Sequence, residues 1–218
     1  MSHIAPRDVA ELSELQPLLQ GLQANMGFVP NSLLTMAHLP QLPVAFVLLI
    51  EAVFGGDLQQ RMAALAPMVP PRANPERGLA PELLQLVALA VSSSAGCRYC
   101  QAHTSHGAHR RGVSASKLAS ILDFETSELF APAERAALRL AFAAGRVPNE
   151  AEAAHFADLR AHYDDQQIVQ LVSVIALFGF LNRWNDTLAT ALEGAPLQFA
   201  EASLAPLGWA AGKHASPA

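Results

Sequence analysis

Apolar residues recur along this chain at three- and four-residue intervals, and no stretch alternates apolar with polar residues as a half-buried strand does. The pattern predicts an all-α fold. Helices are expected over 8–25, 42–54, 58–65, from Pro81 through Val91, and over 97–111, 114–122, 132–144, 149–161 and 164–192. Turn residues punctuate them: Gly27 to Asn31 with Pro30, Gly55-Gly56, Gly112, and Gly145 with Pro148. Between residues 67 and 75 four prolines forbid a continuing helix, which marks the best internal boundary. The expected organisation is an N-terminal helical segment (1–66), a proline-rich connection (67–80), a core (81–125), a second helical half (126–202) and a tail loose at its end (203–218).

The longest apolar runs, 42–50 and 171–181, are of core length and fall short of the roughly 18 residues a membrane span requires. The first eight residues lack the basic and apolar regions of a secretory signal, so a cytoplasmic location is expected. At 218 residues the chain can bury a sizeable core, and 51% hydrophobic against 15% charged residues excludes a disordered chain. Some of that apolar excess is expected to meet partner subunits. A net charge of −5 provides no basic field, so neither nucleic acid nor an anionic membrane is an expected partner.

Shifting the chain by 85 residues lays Leu83 to Cys100 over Ile168 to Asn185 without a gap. Cys97-Arg98-Tyr99-Cys100 then falls on Asn182-Arg183-Trp184-Asn185. Either the core helices are duplicated, or two Ala- and Leu-rich helices coincide by chance. On the first reading a small polar residue serves at both positions, and the thiols are present for reactivity.

The only two cysteines stand in that one window. Residues i and i+3 of a helix share a face with Cα atoms about 5 Å apart, inside the roughly 4.4–6.8 Å that a disulfide accepts. The pair can therefore close and reopen a bond with little backbone movement. Gly96 suggests that it occupies the first turn of its helix, where free N–H groups and the helix dipole favour a thiolate. A zinc site of Cys97, Cys100, His103 and His106 is a competing reading. Nine residues of one rod span about 13.5 Å, however, and four ligands along it cannot converge on one ion, so no metal is expected. A buried inert pair stays open. His103 shares the face of Cys100, near enough to take a thiol proton, and His106 follows one turn on.

The segment Leu83 to Gly112, above all Ser92-x-x-x-Gly96-Cys97-Arg98-Tyr99-Cys100-Gln101-Ala102-His103, resembles the alkylhydroperoxidase AhpD core of the carboxymuconolactone decarboxylase family. Gly27-Phe28-Val29-Pro30-Asn31 and Asn182-Arg183-Trp184-Asn185-Asp186 resemble its peroxidase-related branch. The resemblance implies an AhpD-like orthogonal helical bundle, a homo-oligomer without a bound cofactor, and reduction of a hydroperoxide substrate by the dithiol. A dithiol reductant such as a lipoylated protein would then reopen the disulfide. It also implies that Cys100 attacks and Cys97 resolves. The three proton-handling residues of the AhpD pattern are absent, their positions holding Gln85, Tyr99 and Thr104. His103 or His106 would have to replace the relay, with Glu82 as a substitute carboxylate and Tyr99 or Gln85 positioning the peroxide. Alternative activities are a decarboxylase acting on a γ-lactone acid, which needs no dithiol, and a non-catalytic dithiol redox sensor.

Overall fold

A computed structural model describes residues 2–71 and 77–215, and among them the regular structure is helical throughout. The chain divides into two compact units, one made of residues up to Gly78 with Asp165–Val169, the other of Leu79–Asp164 with Gln170–Ala218.

In the first unit two single 3-10 turns lead into α1 (Gln16–Met26), which ends on Gly27 at φ +80°. Then come α2 (Asn31–Met36), α3 (Leu42–Val53) and α4 (Leu58–Leu65), the last capped by Asp57 accepting from the Gln60 N–H. Leu15, Leu19, Leu34, Ala37, Val44 and Leu65 are buried together as its core. The six-residue α2 was expected as part of a loop, because two turns carry too little periodicity to stand out beside Pro30. Of the expected proline-rich connection, residues 72–76 lie outside the described residues, and Ala66–Met68 forms one 3-10 turn.

The second unit is organised around α5 (Pro81–Ser94), in which Leu86 to Val91 are buried without interruption. Only a helix covered on most sides has such a profile. α6 (Arg98–His109) and α8 (Pro132–Ala144) pack against it, joined by α7 (Ala115–Ala119). Gly145 allows the close approach of α8: a Cβ there would lie 2.9 Å from Ser94 Cβ and 3.1 Å from the Val91 carbonyl. α9 (Ala153–Arg160) follows α8, and α10 (Asp165–Leu188) runs for 24 residues. α10 is long and apolar enough to cross a membrane by length and composition, although its uninterrupted apolar run is shorter. Its 18-residue apolar window is mostly unburied within the chain.

The two segments matched at 85 residues do not fold alike. The first is a helix, a reversal at Gly96 and a second helix, whereas the second lies wholly within unbroken α10. The difference follows from residue 96, since its counterpart Leu181 continues the helix where Gly96 takes φ +75°. The expected loose end of the tail falls on residues beyond the described ones, while the part before it is folded. α11 (Gly194–Ser203) packs on α6, and Trp209 and His214 are buried at 5% and 1% exposure. Residues 216–218 lie outside the described residues.

Gly96 ends α5 with two reverse-turn hydrogen bonds, Gly96 N–H to Ser93 O (3.2 Å) and Cys97 N–H to Ser92 O (3.1 Å). Replacing Gly96 by Ala should therefore cost about 1–2 kcal/mol through the left-handed backbone alone, since a Cβ meets nothing within 4 Å. Urea unfolding of the reduced protein measures this, and an unchanged midpoint would refute it.

Candidate active site

The turn that closes α5 also opens α6. Cys97 is the residue after the left-handed glycine and, with extended backbone (φ −77°, ψ 103°), the N-cap of the next helix. Cys100 is then the third residue of α6 and stands one turn away. Both cysteines are free thiols, and both are buried, at 1% and 2% exposure. The sulfurs are thus enclosed, not open to solvent as a reactive exposed pair would be.

The pair shares its protons unequally. The Cys97 thiol is drawn down from its ordinary 9.0 to about 7, chiefly because the Cys100 side chain hydrogen-bonds to it; burial opposes this, while the Cys100 backbone N–H and His214 assist. Cys100 is pushed strongly up by giving that hydrogen bond and by burial. The negative charge of the reduced pair therefore belongs on Cys97, at the open end of the helix. Asn185 of α10 donates its side-chain N–H to Cys100 Sγ at 3.5 Å. It is the residue that falls on Cys100 at the 85-residue shift.

A polar cluster surrounds Tyr99. Its hydroxyl donates to Glu193 at 3.0 Å, and its ring stacks on His103 with centroids 4.3 Å apart. His103 Nε2 meets the other Glu193 oxygen at 2.7 Å. Burial, with Glu193, raises the Tyr99 hydroxyl to about 12. Burial alone would raise Glu193 too, but its own N–H and the bonds from His103 and Tyr99 outweigh that and hold its carboxyl down. His103 thus finds its partner in a carboxylate at the start of α11, where the sequence pointed to the thiols.

Other candidates lie elsewhere. Gln85 rests against Gly107, where a Cβ would come 2.8 Å from Gln85 Oε1. That is seven residues, about 10 Å of helix, beyond Cys100. Glu82 is a turn further back on α5, and His106 tilts against Phe199 with centroids 5.7 Å apart. Neither Gln85 nor Glu82 is brought to the dithiol.

Three residues that the local motif did not disclose stand in for them. His214, from the tail, is coupled electrostatically to Cys97 and tilts against the Tyr99 ring at 5.9 Å. Its Nδ1 meets the Thr190 carbonyl at 2.8 Å and so must donate, which leaves Nε2 to face Asp186. That buried Nε2 has no hydrogen-bond partner, the Asp186 carboxylate lying 3.6 Å away. Asp186 is held below its usual range first by Lys213, at 2.8 Å, and then by His214. Glu193, Asp186 and His214 lie 89 to 117 residues beyond the first cysteine, so no spacing rule reaches them.

Thiolate absorbance at 240 nm in the reduced protein should rise by one equivalent with a midpoint near 7. Cys100→Ala, which removes the donor, should move that midpoint toward 9. A depressed folded value stabilises the fold above the unfolded value, so this contribution should be full near pH 9 and fade as pH falls through 7. Above pH 9 the retained Cys100 proton acts in the opposite sense. Burial also predicts that 5,5′-dithiobis(2-nitrobenzoate) modifies the native thiols at least about tenfold more slowly than the unfolded ones; equal rates would refute the enclosure.

Residues 57–143 match the carboxymuconolactone decarboxylase family. The uncharacterized protein YnjA of Escherichia coli (strain K12) is 27% identical over 151 residues, covering 69% of this chain and 75% of that protein. Among solved structures, the debrominase Bmp8 is 32% identical with a TM-score of 0.55, covering 91% of this chain and 96% of its own. A cysteine-to-alanine variant of Bmp8 has been solved with 2,3,4-tribromopyrrole. A protein of unknown function from Agrobacterium tumefaciens, provisionally named an antioxidant defence protein AhpD, shares the fold at 22% identity and a TM-score of 0.52. It is covered over 92% of its length, against 63% of this chain. With a dithiol at the head of α6 and near-complete alignment to a relative above 30% identity, the chain belongs to the carboxymuconolactone decarboxylase family, and its fold is AhpD-like.

Proposed function

We propose that this protein is a dithiol peroxidase that reduces small organic hydroperoxides. The observation that carries the reading is the free pair itself: Cys97 at an N-cap is drawn to about 7 by the S–H of Cys100 one turn away. Near neutral pH such a pair holds a nucleophile and its resolving thiol together.

The Cys97 thiolate attacks the terminal oxygen of R–O–O–H. The S–O bond forms as the O–O bond breaks, and the departing alkoxide takes a proton to become R–OH. The Cys100 thiol then attacks the sulfenic sulfur, closing the disulfide and releasing water. Two electrons have passed from the dithiol to the peroxide, and a dithiol donor of the dihydrolipoyl class returns them by exchange. This order reverses the one implied by resemblance to AhpD, and it is supported by the N-cap position of Cys97, which favours a thiolate there. His214, coupled electrostatically to Cys97, is suited to hold the proton in transit. Condensation with Cys100, one turn away, protects the sulfenic acid from further oxidation.

Assembly into a homo-oligomer is part of the proposal. Leu177, Phe180, Trp184 and Leu188 of α10 are 44–60% exposed and follow one another at helical spacing, an apolar stripe suited to a second copy. A dithiol reductase of this family could also act on halogenated rings, and the similarity to Bmp8 favours that as a second reading. The same pair would supply two electrons and form the disulfide, while C–Br becomes C–H and bromide leaves with a proton. Decarboxylation of a γ-lactone acid leaves the dithiol without a role.

With cumene hydroperoxide and a dihydrolipoyl donor, Cys97→Ser and Cys100→Ser should each lose turnover by about a hundredfold or more, and the double variant should lose no more than either. In a single turnover Cys100→Ser should accumulate a dimedone-trappable sulfenic acid, and Cys97→Ser should not. Trapping only in Cys97→Ser would assign attack to Cys100. Bromide release from 2,3,4-tribromopyrrole without peroxide consumption would establish the second reading in place of the first.

A further inference from the structure

We infer that a cavity beside the dithiol is the seat of the organic substrate, and that the Asn182 side chain positions the hydroperoxide group there. The inference rests on the peroxidase reading and extends it to the class of peroxide.

The cavity measures about 360 Å³ and lies where the C-terminal ends of α5 and α8 meet one face of α10. Val91, Ala144 and Ile175 give it apolar walls, and Asn182, Arg183 and Asp186 supply its polar side. Asn182 is only 4% exposed, yet neither its amide nitrogen nor its amide oxygen has a hydrogen-bond partner. A buried amide left without partners is costly to a fold, so its persistence at a cavity wall points to a ligand that satisfies it.

Charge selects among ligands. Asp186 is compensated by Lys213 at 2.8 Å, and Arg146 at the rim by Glu150 at 2.7 Å. The two helix C-termini together bring about one negative charge to the cavity, which offsets Arg183. Little net field remains, so the site favours a neutral molecule over an organic acid. The amide presents donor N–H and acceptor C=O side by side, and a hydroperoxide presents acceptor oxygens and a donor O–H within two atoms. Apolar walls then suit a compact hydrocarbon body of about ten to fifteen heavy atoms. Hydrogen peroxide would leave most of this volume unused.

Two of the cavity's lining residues lead to the thiols along the chain. Ala95 of its wall precedes Cys97 by two residues, and Asn182 stands one helical turn before Asn185, the donor to Cys100 Sγ.

Cumyl alcohol, the unreactive product of cumene hydroperoxide, tests the seat without chemistry. Titrated into the full-length reduced protein, it should shift the Asn182 side-chain amide resonances. Its affinity should fall about tenfold in Asn182→Leu, the worth of roughly one hydrogen bond to a buried group. Ala144→Phe, which fills the cavity from the α8 side, should abolish binding even if the Leu variant fails to fold. In turnover, Asn182→Leu should raise KM for cumene hydroperoxide while kcat changes less, and Ala144→Phe should lower the ratio of cumene hydroperoxide to hydrogen peroxide kcat/KM. No alcohol binding to the natural protein, or binding unaffected by either substitution, would overturn the inference. Alcohol binding without any peroxide consumption would instead overturn the peroxidase reading and leave the seat in place.

Discussion

The site depends on one shared proton between two sulfurs, and that sharing depends on a turn only two residues long. Gly96 takes a backbone conformation that residues with a side chain adopt at a cost, which lets α5 end and α6 begin without an intervening loop. Cys97 consequently serves both helices: its N–H completes the hydrogen bonding of α5, and its side chain lies at the amide end of α6. With Cys100 fixed at the third position of the same helix, the S–H of one sulfur meets the other. A continuous helix through residue 96, such as α10 has at the matching position, would remove the N-cap and with it this distribution of charge.

Around that pair the protein combines burial with a sparse set of polar neighbours. Taking a thiolate out of water is unfavourable, and the Cys97 thiol is nevertheless drawn down because its interaction with Cys100 outweighs the loss. Cys100 has no equal compensation and keeps its proton. Enclosure makes the pair slow toward bulky reagents and leaves side-chain hydrogen bonding to residues far along the chain. Asn185 comes from α10 and His214 from the tail, so the tail is part of the site.

Tyr99, His103 and Glu193 form a second, more exposed cluster next to the first. Its carboxylate balances a histidine that the dithiol motif alone would have assigned to the sulfurs. The two clusters meet through the Tyr99 ring, which stacks on His103 and tilts against His214.

Much of this could be read along the chain. The helical class, the 58–65 and 132–144 helices and the dithiol at the start of α6 follow from periodicity, from proline and glycine, and from the i, i+3 spacing, all of which are local quantities. Short α2 carried too few turns to register, and α11, at ten residues and carrying Gly194 and Pro196, was not picked out as a separate helix. The relay was illegible for a different reason. Glu193, Asp186 and His214 are ordinary surface-type residues in sequence, and they gain chemical meaning only when the tail folds back on α6 and α10 lies beside Cys100. Which cysteine holds the charge, which histidine faces it and what fills the neighbouring cavity are set by distances between helices. The sequence by itself determined the elements and the reactive pair; packing decided its environment, because electrostatics and hydrogen bonding act through space and not along the chain.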